Sequence, residues 1–333
     1  MPPSVGTQRI SARREGSPFT GLGPVFMKEF SDHLSSARMM VLMLFVIAFG
    51  ALPVGLSLQE LRSVTESDPF LFLRIFTSAP QRVPFSFTAS LTLVIPLLAI
   101  GLGFDSVNSE FNRRTLSRVL SQPIYRDALL LGKFLGGLAT LTVALVALWL
   151  IVLGAGLLLL GIPPRGVEVA RGIGFLVVAI AFGGVWLAIS MLFSVLFRST
   201  ATSALCALGV WLFFAILWPL IVPVLVLAVT PTNVAMGMGR LDETLAMIEM
   251  QSTLERLSPN TLFGEAVIGL LNPETRSLGP ILPSQMRGAI MGAPLPLDQS
   301  LLLIWPQVTG LIAGMIVVFA IAYVVFQREE VRA

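Results

Sequence analysis

Among its 333 residues the sequence holds one cysteine, one histidine and two tyrosines, and only 12% of its residues are charged. A single cysteine excludes an intrachain disulfide and any cysteine-built zinc cluster. A single histidine, His33, removes Ser-His chemistry and most proton relays. The shortage of charge is the most restrictive absence. A soluble domain carries about 25% charged residues, and a chain with half of that cannot cover a globule with polar surface. Hydrophobic residues, at 55% with a mean hydropathy of +0.86, take the place of charge. The main solvent of this chain is therefore lipid, which rules out a cytosolic enzyme, a secreted disulfide scaffold and a disordered adaptor. The formal net charge is +3. In a membrane chain the placement of Lys and Arg reports topology before any nucleic-acid partner, and no such partner is expected.

About 20 consecutive apolar residues are needed for a helix to cross a bilayer. Six stretches qualify: Met39 to Leu58, Phe85 to Phe104, Leu129 to Leu160, Ile173 to Phe197, Ala201 to Val229 and Leu301 to Phe326. No Asp, Glu or Arg lies deep in any of them. Lys133 falls near one end, where its stem can snorkel to the interface. Residues 1–20 show no periodicity and read as a mobile cytoplasmic N-terminus. Residues 21–38 read as an interfacial amphipathic helix, with Phe26, Phe30 and Leu34 recurring at spacing four. Residues 39–333 form the six-span transmembrane domain. The polar chain before the first span is too long for a cleaved signal peptide, so that span reads as a retained helix.

With the N-terminus inside, the inner side receives Arg9, Arg13, Arg14, Lys28, Arg38, Arg113, Arg114, Arg118, Arg126, Lys133, Arg198, Arg328 and Arg332, which is 13 of the 22 basic residues. Their density per loop residue is roughly twice that of the outer side, as the positive-inside rule requires. The expectation is a multi-pass protein of the plasma or inner membrane with both termini cytoplasmic.

Catalytic machinery is missing from the spans. No histidine lies in them to serve a serine, no pair of buried aspartates exists, and HExxH ligand spacing cannot be made from one histidine. No catalytic, cofactor-binding or metal site is assigned. Ion-coupled carriers place ionisable groups near the midplane; here only hydroxyls, amides and backbone are available there. Pro96, Pro219 and Pro223 can kink their helices or open carbonyls to a cation. A phosphate-binding GxxxxGK[ST] loop is absent, since Asp127 and Phe134 stand where that motif needs glycine and a hydroxyl.

Two loops carry more information. The loop before the last span, about residues 230–300, has seven acids against four arginines. Within it, Arg240 to Leu257 places Leu241, Leu245 and Ile248 on one helical face. Ser258 and Pro259 then open a second helix through Leu271, which contains Glu265 and stops at Asn272 and Pro273. Two amphipathic helices at the outer leaflet, or a small external platform, are expected. They suit a cap on the bundle, a lid, or a docking surface for an extracytoplasmic partner, with Leu241, Leu245, Ile248, Ser258, Pro259 and Glu265 as candidate surface.

The other loop follows the second span: GFDSVNSEFNRRTLSRVLSQPIYRDALLLGKF. Its Glu110, Thr115, Leu116, Leu120, Ser121, Pro123, Arg126, Gly132 and Lys133 match a motif of an acidic residue, Gly-Thr-Leu, Leu-Leu-Ser, proline, a basic residue and a closing Gly-Lys. Arg114 replaces the usual glycine and Val119 the first leucine. On these residues the chain resembles the permease subunit of type-2 ABC (ATP-binding cassette) transporters. RLSPNTLFGEAVIGLLNP in the later loop is similar to the subgroup containing the permease of nitrous-oxide-reductase maturation.

The resemblance implies an all-α integral membrane fold: six transmembrane helices, an N-terminal interfacial helix, a cytoplasmic coupling helix between spans 2 and 3, and a large external helical loop between spans 5 and 6. It implies two copies of a separate ABC ATPase subunit, which would bind the ATP and magnesium, and a second permease copy or sister permease. It also implies export or outward translocation driven by that ATPase. In the coupling helix, helical spacing puts Phe111, Thr115 (or Leu116) and Val119 on one face, with Arg113, Arg114 and Arg118 around it. An apolar stripe of this kind can insert into a cleft while rim arginines orient docking; those arginines also suit anionic lipid. Glu110 suits helix capping or partner contact, Ser121 the turn, and Pro123 the helix stop. Two other functions remain open: a transmitter that passes ATP-driven motion to an extracytoplasmic partner without transport, and an ion-coupled carrier.

Overall fold

The computed structural model describes residues 21–61, 70–79, 86–112, 125–161, 163–231, 234, 240–278 and 294–328. Among these residues the chain is helical, with no strand. The helices are α1 Leu22–Ser35, α2 Ala37–Leu61, α3 Leu71–Thr77, α4 Phe87–Gly103, α5 Asn108–Asn112, α6 Arg126–Leu160 and α7 Gly166–Leu196. They continue with α8 Thr200–Leu212, a π-helical turn Phe213–Leu217, α9 Trp218–Val229, α10 Leu241–Glu255, α11 Pro259–Leu271 and α12 Leu297–Arg328. Six helical stretches among them are long and apolar enough to cross a bilayer, and they coincide with the six stretches read from the sequence. A helix is the form such runs take because lipid offers no partner for a free backbone N–H or C=O.

Local signals set the ends. Ser86 caps α4 by accepting from the Ala89 amide at 3.2 Å, and Ser199 caps α8 through Thr202 at 3.3 Å. Gly161 closes α6 with φ +70°, the left-handed conformation that glycine adopts without a Cβ clash. Pro96 and Pro223 stay inside continuous helices. Pro219 acts differently. Its ring would clash with the carbonyl four residues back, at Ala215, and Ala215 lies in the wider π turn, where Trp218 N–H bonds Phe213 O.

α7 is the axis of the bundle, packed against α4, α6, α8, α11 and α12. Its most apolar window is 72% buried, against 11% for the span made by α8 and α9; the first is therefore a core helix and the second a peripheral one. Small residues let neighbours approach the axis. Gly183 faces Ile95 and Leu141, Gly184 faces Met315, and Gly137 of α6 faces Leu187. At one end of the bundle, here the proximal end, lie α1 and the turn from α4 into α5. The distal end holds α10, α11 and the start of α12.

Among its described residues the distal loop forms two helices, as expected, but α11 does not lie on the bundle surface. It is inserted among α4, α7 and α12. Phe263, Ala266, Val267 and Leu270 are buried, and the Phe263 ring stacks on Phe182 with centroids 4.4 Å apart. Spacing of three and four puts these residues on one stripe, and Gly174, against which Leu270 packs, supplies a notch for it. α10 runs beside α9, where the Trp218 indole N–H donates to Leu254 O at 3.0 Å. Arg171 of α7, fully buried, secures the arrangement. It donates to Leu270 O at 2.6 Å, to Ser300 Oγ at 3.1 Å and to Leu295 O, and no carboxylate pairs with it among the described residues. One arginine thereby joins the end of α11 to the start of α12. On the same side Glu168 accepts from the amides of Phe72 and Arg165, which fixes α3 to the start of α7.

Phe263→Ala is expected to cost about 3–5 kcal/mol, the range for emptying a buried aromatic site. Leu241→Ala, at a side chain 69% exposed, is expected to cost almost nothing. Thermal melting of the two purified variants in one detergent tests this, and equal melting temperatures would place α11 outside the core.

Candidate coupling site

The candidate site is the proximal end, where α4 turns into α5 and leads toward residues 113–124. The last turn of α4 is locked to α7: Ser190 Oγ donates to Ile100 O at 3.1 Å, and a Cβ on Gly103 would lie 2.9 Å from that of Ser190. Beyond it, Ser194 Oγ accepts from the amides of Val107 and Asn108 at 2.9 and 3.2 Å. These are unpaired amides at the start of a short helix, satisfied here by a side chain of another helix. Asn112 Nδ2 donates to Arg198 O at 2.9 Å, just past the end of α7. The approach to 113–124 is thus pinned at both ends to α7. Asp105 pairs with Arg38, whose guanidinium lies 5.2 Å from the centroid of the Phe104 ring.

The second feature is a charge cluster. Lys133 Nζ lies 2.8 Å from Glu29 Oε1 of α1 and 2.8 Å from Glu110 Oε1 of α5. Its side chain is 4% exposed. The snorkelling expected of Lys133 therefore does not occur: two carboxylates reach it in the interior, and its ammonium has no need of water. Lys28 also pairs with Glu29, at 3.2 Å, and with Asp32, at 3.1 Å.

α1 is held over this cluster by two glycines of α6. A Cβ on Gly132 would lie 2.7 Å from Val25 Cγ1, and one on Gly136 would lie 2.9 Å from Glu29 Cβ. The GxxxG pair thus seats α1 within the chain. The buried stripe of α1 is accordingly Val25 and Glu29. Phe26 and Phe30 stack on each other half-buried, and Leu34 is 45% exposed. The face expected from Phe26, Phe30 and Leu34 is displaced by one position, because the glycine groove and Lys133 draw Glu29 inward.

Of the residues anticipated for docking, Glu110, Phe111 and Arg126 are described. Glu110 faces Lys133, Phe111 packs half-buried against the core, and Arg126 begins α6. Arg113, Arg114, Thr115, Leu116, Arg118, Val119, Ser121 and Pro123 lie outside the described residues. At the distal end Leu241 is exposed, while Leu245, Ile248 and Pro259 are half-buried. Ser258 sits at the N-cap of α11, buried and without a side-chain cap bond. Glu265 is taken up internally, by Arg256 at 2.9 Å and Gln307 at 2.8 Å, so it holds the fold at that end.

Sequence reasoning did not assign Glu29, Ser194 or Arg171 a role, and it gave Lys133 only a place in a motif and a snorkelling position at the end of a span. The available signal was a lysine between two glycines at spacing four, since a charge inside a close-packing stripe needs a partner.

Around the cluster, burial pushes the Glu29 carboxyl up, but Lys133 and Lys28 outweigh it and hold the group below its ordinary value of 4.5. Burial, reinforced by Arg38 and Lys133, pushes His33 below its ordinary value of 6.5, against the pull of Glu29 and Asp105. A carboxyl depressed in the folded state contributes stability above its ordinary value, and that contribution is lost as pH falls through the depressed value. The seat of α1 is therefore expected to hold from neutral pH down to about 4.5 and to weaken below it. Glu29→Gln is expected to melt lower than the native chain at neutral pH, with the two melting temperatures converging on acidification. A constant gap between them would contradict the charge pairing.

Residues 24–331 match the family model of the ABC-2 family transporter proteins. The probable ABC transporter permease protein NosY of Pseudomonas aeruginosa is 35% identical over 150 residues, covering 44% of this chain and 52% of that protein. The protein of the same description from Stutzerimonas stutzeri is 29% identical over 198 residues, 58% of this chain and 66% of that protein. The chain thus spans between about half and two thirds of the length of these curated relatives. A family match over nearly the whole chain, with six helices able to span a membrane, establishes that this multi-pass membrane protein belongs to the ABC-2 transporter family.

Proposed function

We propose that this chain is the non-catalytic membrane subunit of an ATP-driven exporter. A separate ATPase, present in two copies and carrying ATP and magnesium, docks on residues 110–126 and drives outward movement of a substrate. The proximal end is then cytoplasmic, as are both termini. The carrying observation is the rigid fastening of the approach to that segment: Ser194 and Arg198 of the α7 end hold residues 107–112, and Lys133 holds Glu110. A segment that receives force from a partner has to be fixed to the part that moves. The docking contacts are Glu110, Phe111, Arg113, Arg114, Thr115, Leu116, Arg118, Val119, Ser121, Pro123 and Arg126, with the arginines matched to acids on the ATPase. A second copy or sister permease covers part of the exposed span α8–α9, where Leu205, Leu220 and Val224 are each more than 60% exposed; lipid covers the rest.

A second reading is favoured by the course of α7. Ser194 holds the coupling approach at one end, and Arg171, 23 residues away, holds α11 and α12 at the other. At 1.5 Å per residue this is a rod of about 35 Å. Such a rod can pass motion to an extracytoplasmic partner at α10 without any substrate crossing.

Purification of the tagged chain from native membranes in mild detergent is expected to bring down a P-loop ATPase at near equal stoichiometry. The triple substitution Arg113→Glu, Arg114→Glu, Arg118→Glu is expected to abolish that recovery while leaving the chain in the membrane. Unchanged recovery from the triple variant would defeat the docking assignment. ATP-dependent flux in vesicles supports the exporter, whereas a tightly held external protein without flux supports the transmitter.

A further inference from the structure

Lys133 is the eighth residue of α6, nearly sealed from solvent, and contacts carboxylates from two other elements at equal distance. One element is α1, which lies over the Gly132 and Gly136 positions of α6. The other is α5, the start of the segment assigned to ATPase docking. Stability alone is a poor reason for such a cluster. Replacing a buried ion pair with apolar residues of similar volume is often neutral or stabilising, while removing one member strands the others. Geometry is what the cluster supplies. Two carboxylates can stay ionised close to one another inside a protein when a cation stands between them; without it, repulsion where water is excluded drives them apart or makes one take up a proton. Lys133 thus sets the relative positions of α1 and α5.

Further fastenings of α5 run to Ser194 of α7, to Arg198 just past its end and to Phe104 at the end of α4, and α1 is also packed on α2. Within the cluster, a shift of α5 that carries Glu110 must carry Lys133 or break a buried charge-assisted bond. Glu29, bonded to the same nitrogen, follows.

We propose that Lys133 is a positioning residue that makes α1 move together with the coupling approach, so that the ATPase cycle displaces a helix packed at the proximal end as well as the spans behind it. This inference rests on the docking reading above. It adds a component, α1, and names the atoms that recruit it: Lys133 Nζ, Glu29 Oε1 and Glu110 Oε1.

The test is hydrogen–deuterium exchange on the full complex of chain and co-purified ATPase, compared without nucleotide and after trapping with ATP and vanadate. Peptides covering residues 105–112 report the coupling approach, and peptides covering 22–35 report α1. In the native complex both sets are expected to change on trapping. In Lys133→Met the 105–112 response is expected to persist and the α1 response to disappear, with Lys133→Arg restoring it. Glu29→Gln, which leaves the Lys133–Glu110 pair intact, is expected to lose the α1 response as well, and it serves if Lys133→Met fails to fold.

An α1 response that survives in Glu29→Gln or Lys133→Met would overturn the role of Lys133. So would a native complex in which 105–112 responds and α1 does not; in both cases ATPase docking would still stand. If no ATPase co-purifies, or 105–112 is silent on trapping, the docking reading itself fails and this inference goes with it.

Discussion

The structure depends on α7 being able to sit at the centre of a membrane bundle while holding polar fastenings only near its two ends. In lipid a polar group without a partner costs several kcal/mol, so a central helix has to be apolar or internally satisfied along most of its length. α7 meets this with glycine, alanine and large apolar residues in the middle, although the buried Trp186 indole N–H finds no partner among the described residues. Gly183 and Gly184 admit Leu141, Ile95 and Met315, and Phe182 and Trp186 fill the remaining space. Polar fastening begins where the middle ends, with Glu168 and Arg171 toward the distal side and Ser190 and Ser194 toward the proximal side. Arg171 and Ser190 donate to, and Glu168 and Ser194 accept from, groups of other elements, so the two ends of the bundle are joined through one stiff helix.

The two ends are fastened by different chemistry. At the distal end the two terminal nitrogens of a buried guanidinium donate to two carbonyls and a hydroxyl, and neither its Nε nor its positive charge finds a partner or carboxylate among the described residues. The planar donor fork of arginine suits this, since it can address several acceptors from different chain segments at once. At the proximal end a lysine gathers two carboxylates, a compact point charge joining two helices. Carbonyls of α11 and of the chain entering α12 are thereby held against α7, whereas α1 and α5 are held against α6.

Much of the architecture was legible in the sequence. The six spans follow from runs of apolar residues, because hydropathy over about 20 residues is a direct measure of fitness for lipid. The bounds of α11 follow from Ser258, Pro259, Asn272 and Pro273, which are local backbone signals. The location of α11 did not follow. Its stripe of Phe263, Ala266, Val267 and Leu270 is equally suited to a membrane surface and to a bundle core, and only the notch at Gly174 and the Phe182 ring select the second. The face of α1 was displaced for a related reason: Glu29 reads as a polar position until Lys133 is brought beneath it.

The sequence by itself determined the solvent and the number and limits of the spans, because these depend on composition and on short-range backbone preferences. It also determined where charge would be concentrated, in the loop that leads into the third span. Tertiary structure alone decided which charges meet. Glu29, Glu110 and Lys133 stand on three helices, and Arg171 bonds to residues about 100 to 130 positions away in the chain. Pairings at such separation leave no periodicity in the sequence. They arise from the close approach that glycines permit and from the low tolerance of a membrane interior for an unsatisfied charge.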